Sequence, residues 1–418
     1  MRSLYQLFIG IVQAVLPLFK GLNHKLRRFI EGRAHVFEAL QEKLEPGRDT
    51  IWVHTASLGE YEQIVPVLQR LEKQYPAYQL LVTFFSPSGY EVKKENALAN
   101  AVTYLPIDTK QNVKRFLQLV HPRLAIFVKY EFWPNYLEEL KAQQVPTLLV
   151  SGVFREQQPF FKWYGRWMRS SLQAFDHFFL QDAASMNQLK QLGFHNATVS
   201  GDTRFDRVAA QLEMDNELPF LSVFKQKQPL LICGSTWPAD DHLLLSIIPQ
   251  LLEQYSLKVL IAPHEIKEEK IAQLEQPLHE LKVQRYSQLN EAQLEETQVL
   301  ILDTIGLLSR AYAYGDLAYV GGAAGDTGLH NILEPATFGL PILCGPHIEK
   351  FPEAQRLRQL AGLFTVADSQ ELHNLLSKLL EDKEFCSKSG MISGHFINSN
   401  TGATRTIMSY LQQSKILD

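Results

Sequence analysis

The sequence predicts an α/β protein made of two doubly wound, Rossmann-like domains, and three observations lead to this prediction. Short apolar runs alternate with amphipathic stretches from Thr50 onward, the alternation pauses near Gly201, and a second series of the same kind follows. The chain has 418 residues, and a prior of roughly 150 residues per domain allows two or three domains. With 45% hydrophobic and 21% charged residues, the composition is that of a globular protein rather than a disordered one.

The first series contains six apolar runs that read as strands. Helical patterns such as Tyr61–Gln74 and Pro134–Gln143 lie between most of them. Strands that alternate with helices predict a parallel sheet with helices on both faces. The six predicted strands are Ile51–His54, Leu80–Phe85, Val102–Ile107, Leu124–Tyr130, Thr147–Val153 and His177–Leu180.

The second series begins after residues 206–229, which are polar and contain two prolines, and which we interpret as an irregular inter-domain linker. Helices at Asp240–Tyr255 and Ile305–Tyr314 separate its strands. In doubly wound sheets ligands bind beyond the carboxyl ends of the strands, so two such domains facing one cleft make polar residues just after strands the candidate site residues. The predicted strands are Leu230–Cys233, Lys258–Ala262, Val299–Leu302, Leu317–Val320 and Pro341–Cys344.

The N-terminal segment differs in charge and hydropathy from the rest of the chain. Residues 1–33 carry six basic residues and one acidic residue, so they sum to +5 while the remainder sums to −9. The apolar run Leu4–Phe19 is 16 residues long, whereas a spanning helix needs about 20. We expect the segment to lie at an anionic membrane surface; a signal peptide, or a first helix packed on its own domain, are the alternatives. The basic residues are Arg2, Lys20, Lys25, Arg27, Arg28 and Arg33.

The predicted organisation therefore has five parts. A membrane-associating segment at 1–33 precedes a first domain at 34–205, the linker at 206–229 and a second domain at 230–395, and residues 396–418 form a C-terminal helix that could pack back on the first domain. The three cysteines show no CxxC spacing, which disfavours a disulfide framework or zinc site and suits a reducing compartment. A net charge of −4 gives no indication of nucleic-acid binding.

The first motif that carries chemistry is VHTASLGE at 53–60, where an apolar strand runs into a loop of small residues and a helix. Gly59 allows close approach of a ligand to the backbone. Glu60 stands at the start of the helix, where it could act as a general base or simply cap the helix. Because a helix N-terminus lowers the pKa of a carboxylate, a role as base requires burial or close positioning against an acceptor hydroxyl.

The second motif is KYEFWPN at 129–135, where Glu131 ends an apolar strand beside aromatic residues. Pro134 suits the first turn of the next helix. Glu131 is therefore a candidate for binding a hydroxyl group, and the alternative is that it caps helix 134–143.

The third motif is a strand, a glycine-rich loop and a helix at 317–336. Its loop amides could meet a phosphate, and Glu334, one turn into the helix, could accept hydrogen bonds from ribose hydroxyls. No Gly-Lys-Ser/Thr follows, so the loop is not a P-loop, and glycine-rich loops alone are weak indicators of nucleotide binding. The donors in Gly234-Ser235-Thr236 and in Pro263-His264 follow neighbouring strands. Asp303 reads as a helix N-cap.

Basic and aromatic residues also interleave between Arg155 and Arg169. Such a stretch could receive an anionic lipid or a membrane headgroup layer. The alternative is an amphipathic helix whose cations snorkel over a core face. The cations are Arg155, Lys162, Arg166 and Arg169, and the aromatic residues are Phe160, Phe161, Trp163, Tyr164 and Trp167.

Taken together, these motifs resemble those of the 3-deoxy-D-manno-octulosonic acid (Kdo) transferases of lipid A biosynthesis. The motifs HTASLGE, KYEFWPN, GSTWPADD, APHEIK, LDTIGLL and VGG…GLHNILEPA…LPILCGPH occur in this order across nearly the whole chain. The resemblance implies a GT-B fold, CMP-Kdo as donor, a lipid A precursor as acceptor and a location at the cytoplasmic face of the bacterial inner membrane. The apolar, basic N-terminus is similar to the family's membrane-associating segment.

The resemblance also implies roles for individual residues. Glu60 would be the general base that deprotonates the acceptor hydroxyl, and Glu131 would shape the acceptor side or support that base. The transfer would proceed with inversion and without a metal or other cofactor. The first domain would bind the acceptor and the second the donor. The implied donor contacts are Ser235, Thr236, His264, Gly321, Gly322, Asn331 and Glu334, with Glu334 on the ribose.

The sequence departs from the family pattern in the second domain. The family usually shows PRHPER, STHEGEE and GDTMGEL, where this chain has APHEIK, STWPADD and LDTIGLL. A cation beside His264 is therefore missing, and Trp237 stands where a histidine is usual. Two alternatives remain open: a GT-B transferase that uses a UDP-sugar, and a non-catalytic sugar- or lipid-binding scaffold. A dehydrogenase is disfavoured because the first strand and turn lack the dinucleotide glycine fingerprint.

Overall fold

The chain folds into two compact units, each built around a parallel seven-stranded sheet. A computed structural model describes residues 1–95 and 98–417. Unit 1 comprises Met1–Arg207 and Thr401–Asp418, and unit 2 comprises Val208–Asn400. The predicted fold class, two doubly wound α/β sheets, is confirmed.

The sheet of unit 1 has the strand order β3-β2-β1-β4-β5-β6-β7, and all its neighbours pair in parallel. Strand β1 pairs with β2 on one side and with β4, the central strand, on the other, so Ile51 lies between Leu80 and Leu124. The strands are β1 Thr50–Thr55, β2 Gln79–Phe84, β3 Ala101–Tyr104, β4 Pro122–Val128, β5 Thr147–Gly152, β6 His177–Leu180 and β7 Ala197–Val199.

The helices of unit 1 cover both faces of this sheet. Successive β1 side chains alternate between two cores: Trp52 packs with Phe116 and Tyr136 on one face, and Ile51 and Val53 belong to the cluster on the other. The helices are α1 Arg2–Val15, α2 His24–Ala34, α3 Val36–Lys43, α4 Leu58–Gln74, α5 Pro87–Lys93, α6 Lys110–Val120, α7 Pro134–Ala142, α8 Arg169–Leu172, α9 Ala183–Gln191 and α10 Thr203–Ala210, with one more from the C-terminus.

That C-terminal helix, Ala403–Ser414, belongs to unit 1 although it follows unit 2 in the chain. Its Ile407, Met408 and Leu411 are buried with the α4 side of the core. The Tyr410 ring packs against His177 in a tilted arrangement with centroids 4.5 Å apart. Residues 396–400 end the preceding helix in unit 2, so the predicted segment 396–418 consists of two helices divided at Gly402, whose φ is +114°.

Helix α1 docks on unit 1 through a polar face and leaves an apolar face exposed. The Tyr5 hydroxyl donates to Asp108 at 2.6 Å, and Gln6 hydrogen-bonds Asn135. Together with the 3-10 turn Leu16–Phe19 it forms an 18-residue apolar helix that is long enough to cross a membrane by length and composition alone. A signal sequence passes the same test, so the observation is weak support for spanning. The exposed apolar side chains are Leu4, Leu7, Phe8, Ile11, Leu18, Phe19 and Leu22.

Some of the basic residues in 1–33 are engaged within the protein and do not face an anionic membrane surface. Arg33 is half-buried, and its guanidinium donates to the carbonyls of Phe85 at 2.7 Å and Leu105 at 3.0 Å. Burial lowers the pKa of Arg33 to about 9. Lys20 and Arg27 pair with Glu31. The basic residues of 1–33 therefore include Arg33, which has a structural role, and exposed cations such as Lys20 and Arg27.

Unit 2 has the strand order β10-β11-β9-β8-β12-β13-β14, again with parallel neighbours. Its strands are β8 Leu230–Thr236, β9 Lys258–Pro263, β10 Val283–Arg285, β11 Val299–Ile301, β12 Leu317–Val320, β13 Ile342–Cys344 and β14 Leu363–Thr365. The helices, numbered on from α10, are α11 Pro219–Lys225, α12 Pro238–Leu245, α13 Ile248–Gln254, α14 Glu268–Glu275, α15 Leu308–Ala311, α16 Leu333–Thr337, α17 Pro352–Gln359, α18 Ser369–Glu381 and α19 Lys383–Asn400; the C-terminal helix of unit 1 is α20.

Several local predictions differ from the structure. The prediction omitted β7, β10 and β14, all three-residue strands at sheet edges, where partial burial weakens the apolar signal. The segment 206–229 is not irregular, because it holds the end of α10 and all of α11.

Two predicted helices also have different bounds. The predicted helix Asp240–Tyr255 is broken into α12 and α13, and Pro249 sits in the first turn of α13, where a missing amide hydrogen is tolerated. The predicted helix at 305–314 begins at Leu308. Asp303 does not cap it, because its carboxylate accepts from the Ser287 amide and hydroxyl instead.

Candidate active-site residues at the two sheet edges

In unit 1, the sequence-predicted Glu60 lies in the first turn of α4, directly after β1. It is buried, with 4% of its surface exposed, and its carboxylate accepts a hydrogen bond from the Ala56 amide. The expected capping contact is thus present. This contact does not by itself set the pKa of the Glu60 carboxylate, because burial and a neighbouring negative charge have larger effects on its ionisation.

Burial, the larger cause, and the negative charge of Glu131 together raise the pKa of Glu60 to about 7, against the opposing effects of the Ala56 amide and the Lys129 ammonium. The two glutamates therefore lie close enough to interact electrostatically. A carboxylate with a pKa near neutrality is well suited to general base catalysis at physiological pH. This removes the objection that a helix N-terminus would make Glu60 too weak a base.

Glu131 belongs to a hydrogen-bonded cluster after β4. The Trp133 indole N–H donates to Glu131 Oε2 at 3.0 Å and to His54 Nε2 at 3.1 Å. His54 is fully buried, and its Nε2 lies 3.4 Å from Glu131 Oε2. Its Nδ1 lies 2.9 Å from the Thr83 hydroxyl. Because an indole only donates, His54 Nε2 accepts and the proton resides on Nδ1, which donates to Thr83.

Glu131 does not cap the following helix. Asp108, from the loop after β3, receives the Asn135 and Tyr136 amides at 3.1 Å and so caps α7. Burial raises the pKa of Asp108 to about 7. Asp108, from another segment, already accepts from these amides. The Glu131 carboxylate therefore does not cap α7 and lies at the carboxyl edge of the sheet.

Lys129 completes this edge. It follows β4 with a φ of +71°, an unusual backbone conformation for a non-glycine residue and one that often marks functional sites. Burial lowers the pKa of its ammonium, with the nearby charge of Arg204 acting in the same direction. Its charge in turn lowers the pKa of Glu60. Lys129 is thus a half-buried cation beside the two candidate carboxylates.

In unit 2, the end of β8 packs directly on the glycine loop after β12. Ser235 has a φ of +55°, and Thr236 is buried. A Cβ added to Gly321 would lie 2.4 Å from the Ser235 carbonyl oxygen, and Gly322 has a φ of +98°. Both glycines are therefore required by close approach and backbone conformation.

Asp240 holds these two loops together. Its fully buried carboxylate accepts from the Tyr319 hydroxyl at 2.9 Å and from the amides of Gly322 at 2.8 Å and Trp237 at 3.0 Å. The Gly321 amide donates to the Gly234 carbonyl. The amides of the two predicted glycines are thus engaged within the unit, and Asp240 has a structural role that the sequence did not indicate.

Three rings gather beside this loop. The Trp237 indole N–H donates to His330 Nε2 at 2.8 Å. The Trp237 and His264 rings stack with centroids 4.4 Å apart, and the two imidazole centroids are separated by 4.6 Å. His264 is exposed and His330 half-buried. The structure therefore brings His264 together with His330, which was not among the predicted site residues.

The remaining predicted donor residues, Asn331 and Glu334, contact each other. The Asn331 amide donates to Glu334 Oε1 at 3.0 Å, while its carbonyl oxygen accepts from the Leu333 amide at the start of α16. This places a half-buried, oriented carboxylate in α16 after the glycine loop.

The basic and aromatic stretch of unit 1 is not a single amphipathic α-helix. It forms two 3-10 turns, Pro159–Phe161 and Trp163–Met168, before α8. Trp163 is 87% exposed, whereas Arg169 donates to the Phe160 carbonyl. The Trp167 ring lies 5.3 Å from that of Tyr5, so this stretch adjoins helix α1. Arg155 and Arg166 are exposed and Lys162 is half-buried.

Over residues 1–95 and 98–417, no group of three or more histidine, cysteine, aspartate or glutamate side chains gathers as a metal-ligand set. The expectation of a metal-independent reaction stays a prediction.

The sequence analysis missed the supporting residues of both sites. Asp108 reaches α7 from a loop more than twenty residues earlier, and no local pattern signals that contact. Trp133 and Trp237 had a sequence signal, because each immediately precedes the proline that opens a helix. His54 lies inside an apolar strand and reads as a core residue.

Comparison with known proteins identifies relatives over both units. A family model for the N-terminal region of 3-deoxy-D-manno-octulosonic-acid transferases matches residues 28–207. The transferase of this name from Haemophilus influenzae is 28% identical over 98% of each chain. The one from Chlamydia pneumoniae is 30% identical over 80% of this chain and 78% of its own.

Solved structures of low sequence identity share the fold. A UDP-GlcNAc 2-epimerase from Neisseria meningitidis, bound to UDP-GlcNAc, superposes with a TM-score of 0.62 over 87% of this chain and all of its own, at 13% identity. At this identity the likeness concerns the fold alone. It agrees with the GT-B type that the motifs imply.

Proposed function

Because the chain belongs to the Kdo transferase family, and is therefore a glycosyltransferase of lipopolysaccharide biosynthesis, we propose that it transfers Kdo from CMP-Kdo to a lipid A precursor of the lipid IVA type with inversion at the anomeric carbon. In this proposal residues of unit 1 bind the acceptor and residues of unit 2 bind the donor.

The observation that carries the proposal is the ionisation of Glu60. A buried carboxylate with a pKa of about 7 can take a proton from a hydroxyl and is still substantially ionised at neutral pH. A non-catalytic scaffold has no need for a buried carboxylate poised in this way, since burying a charge costs free energy.

The proposed reaction is a single displacement. Glu60 takes the proton of the acceptor hydroxyl, the hydroxyl oxygen attacks the anomeric carbon of Kdo, and the bond to the CMP phosphate oxygen breaks as CMP leaves. Glu131, which Trp133 and His54 hold in place, keeps the Glu60 pKa high and accepts a hydrogen bond from the acceptor sugar. Lys129 provides a positive charge beside both carboxylates.

For the donor, the proposal uses residues of unit 2. The Glu334 carboxylate, oriented by Asn331, accepts hydrogen bonds from the ribose hydroxyls. Ser235 and Thr236 end β8 and His264 follows β9, at the same sheet edge as the glycine loop. Gly321 and Gly322 contribute by allowing the close loop packing rather than through free amides.

For membrane association, the proposal uses an apolar surface of unit 1. The exposed face of α1 adjoins the Trp163–Met168 turn, where Trp163 is exposed and Tyr164 is 44% exposed. Aromatic and basic residues beside an apolar helix favour a membrane interface with anionic lipids. The protein would then lie peripherally at the cytoplasmic face of the inner membrane and meet its lipid acceptor there.

The decisive experiment is incubation with CMP-Kdo and a tetra-acylated lipid A precursor, followed by mass spectrometry. The expected product carries added Kdo, and the count of added sugars is read from the same spectrum. A parallel reaction with a chelator should proceed at the same rate. Transfer from a UDP-sugar but not from CMP-Kdo would contradict the proposed donor.

Membrane binding has its own test, flotation with anionic liposomes. Replacing Leu7 and Phe8 by Glu should release the protein, because both side chains are exposed on α1 and charges disfavour the apolar interior. The matched control is Met391→Glu, which changes an equally exposed apolar side chain in unit 2 and should leave flotation unchanged. Equal flotation of the α1 variant and wild type would contradict the membrane role.

A further inference from the structure

The hydrogen bond between Trp237 and His330 defines the protonation of His330. An indole N–H can donate but not accept, so its partner at 2.8 Å, His330 Nε2, must offer a lone pair. The imidazole is therefore neutral and carries its single proton on Nδ1. An isolated imidazole is free to exchange its proton between the two nitrogens, whereas this one is held in one form by its neighbour.

Both partners of this bond are held by the backbone around them. The Trp237 amide donates to the buried Asp240 carboxylate, and the His330 amide donates to the Gly321 carbonyl at 3.1 Å. The exposed face of Trp237 is covered by the His264 ring at an interplanar angle of 20°. The orientation of the His330 ring is thus determined by three neighbouring segments.

The surroundings also favour a neutral His330. Burial lowers its pKa, and the adjacent His264 lowers it further, with a smaller opposing effect of Asp240. Protonation of Nε2 would in addition break the bond from Trp237. The ring therefore stays an uncharged hydrogen-bond donor through Nδ1.

The ends of β8, β9 and β12 carry no cationic side chain of their own. Residues 234–236, 263–264 and 321–325, which form or directly follow these strand ends, include no lysine or arginine. The donors that these residues themselves offer to an anionic oxygen are therefore neutral N–H and O–H groups or imidazoles. Neutral donors held in a fixed orientation can stabilise an oxyanion effectively in a partly buried site.

We propose that Trp237 is a positioning residue that keeps the proton of His330 on Nδ1, so that this N–H is presented to the anionic phosphate oxygens of the sugar nucleotide. The inference rests on the donor-binding role proposed above for unit 2. It adds a residue pair, Trp237 and His330, that binds the phosphate, whereas Glu334 binds the ribose.

The first test observes the tautomer directly. Nitrogen-15 NMR of histidine-labelled protein should show His330 protonated on Nδ1. In Trp237→Phe, which keeps an aromatic ring for the stack and removes the N–H, the proton should redistribute to Nε2. The exposed His195 is the internal control and should not change. A wild-type His330 protonated on Nε2, or an unchanged spectrum in the variant, would overturn the proposal.

The second test compares two ligands by calorimetry. Trp237→Phe should weaken CMP binding about tenfold, the size of one hydrogen bond to a charged group, and should leave cytidine binding unchanged because cytidine lacks the phosphate. Equal weakening for both ligands would show a merely structural effect and overturn the inference. Absence of CMP binding by the wild type would instead overturn the proposed function.

Two substitutions of His330 guard against a folding defect. His330→Gln keeps an acceptor oxygen for the indole and an amide N–H for the ligand, so it should retain CMP affinity within about threefold, whereas His330→Leu should lose about tenfold. Equal affinities of the two variants would contradict the role of the His330 N–H.

Discussion

A tryptophan donates a hydrogen bond to a histidine at the carboxyl edge of each sheet, but the two histidines differ in what their second ring nitrogen contacts. In unit 1 the Trp133 indole donates to His54 Nε2, and in unit 2 the Trp237 indole donates to His330 Nε2. His54 Nδ1 donates to Thr83 inside the core, whereas we propose that the half-buried His330 donates its Nδ1 proton to the ligand.

The buried carboxylates Asp240 and Glu60 also differ between the two edges, in their hydrogen bonding and ionisation. Asp240 in unit 2 is saturated by three donors, which makes it a structural tie between loops. Glu60 in unit 1 is buried beside a second carboxylate, and its pKa is raised to about 7. Under the proposed function, the edge of unit 1 moves a proton and the edge of unit 2 holds an anion.

The largest expected effect is that of Glu60→Gln. The amide cannot accept a proton, so kcat should fall by about 10²–10⁴-fold, the range attributed to general base catalysis. CMP affinity, a property of unit 2, should not change. Glu72→Gln, an exposed site on the same helix, is the control and should keep full turnover. Unchanged turnover of Glu60→Gln would remove this residue from the role of base.

On the side of unit 2, Glu334→Ala should weaken CMP binding by about tenfold or more, because hydrogen bonds to a charged group contribute roughly 1.5–3 kcal/mol. Calorimetric titration with CMP measures the change directly. The control Glu384→Ala removes an exposed carboxylate of α19 and should bind CMP as wild type does. An unaltered affinity of the Glu334 variant would contradict the ribose contact.

Glu131→Gln tests the coupling within unit 1. Removal of its negative charge should lower the Glu60 pKa, since that charge is one of the causes that raise it. The acid limb of kcat/KM, which reports the free enzyme, should therefore move to lower pH. The limb should be absent from Glu60→Gln, whose residual activity is the reference. A limb that stays in place would show that Glu131 does not set the ionisation of Glu60.

The smallest effect concerns stability. The folded-state pKa of Glu60, about 7, lies above its ordinary value of 4.5, so ionisation costs folding free energy as pH rises between these values. The free energy of unfolding of Glu60→Gln relative to wild type should thus grow by about 3 kcal/mol from pH 4 to pH 8. Chemical denaturation at both pH values measures it, and a constant difference would contradict the raised pKa.

Prediction from sequence succeeded where burial is complete. All eleven predicted strands are present, because fully buried parallel strands give continuous apolar runs such as that of β1. The edge strands β7, β10 and β14 were missed because they are short and only partly buried. The positions of Glu60 and Glu131 could be predicted from their place after strands, but their electrostatic coupling could not.

The amino-acid sequence by itself determined the class of the fold, the order of its elements and the family, because periodicity and motifs are local properties of the chain. Only the tertiary structure decided which polar groups remain available for chemistry. Asp108 caps α7 in place of Glu131, and Asp240 occupies the Gly322 amide, through contacts between segments far apart in sequence. The raised pKa of Glu60 likewise depends on burial and on the approach of Glu131, which are properties of the packed unit alone.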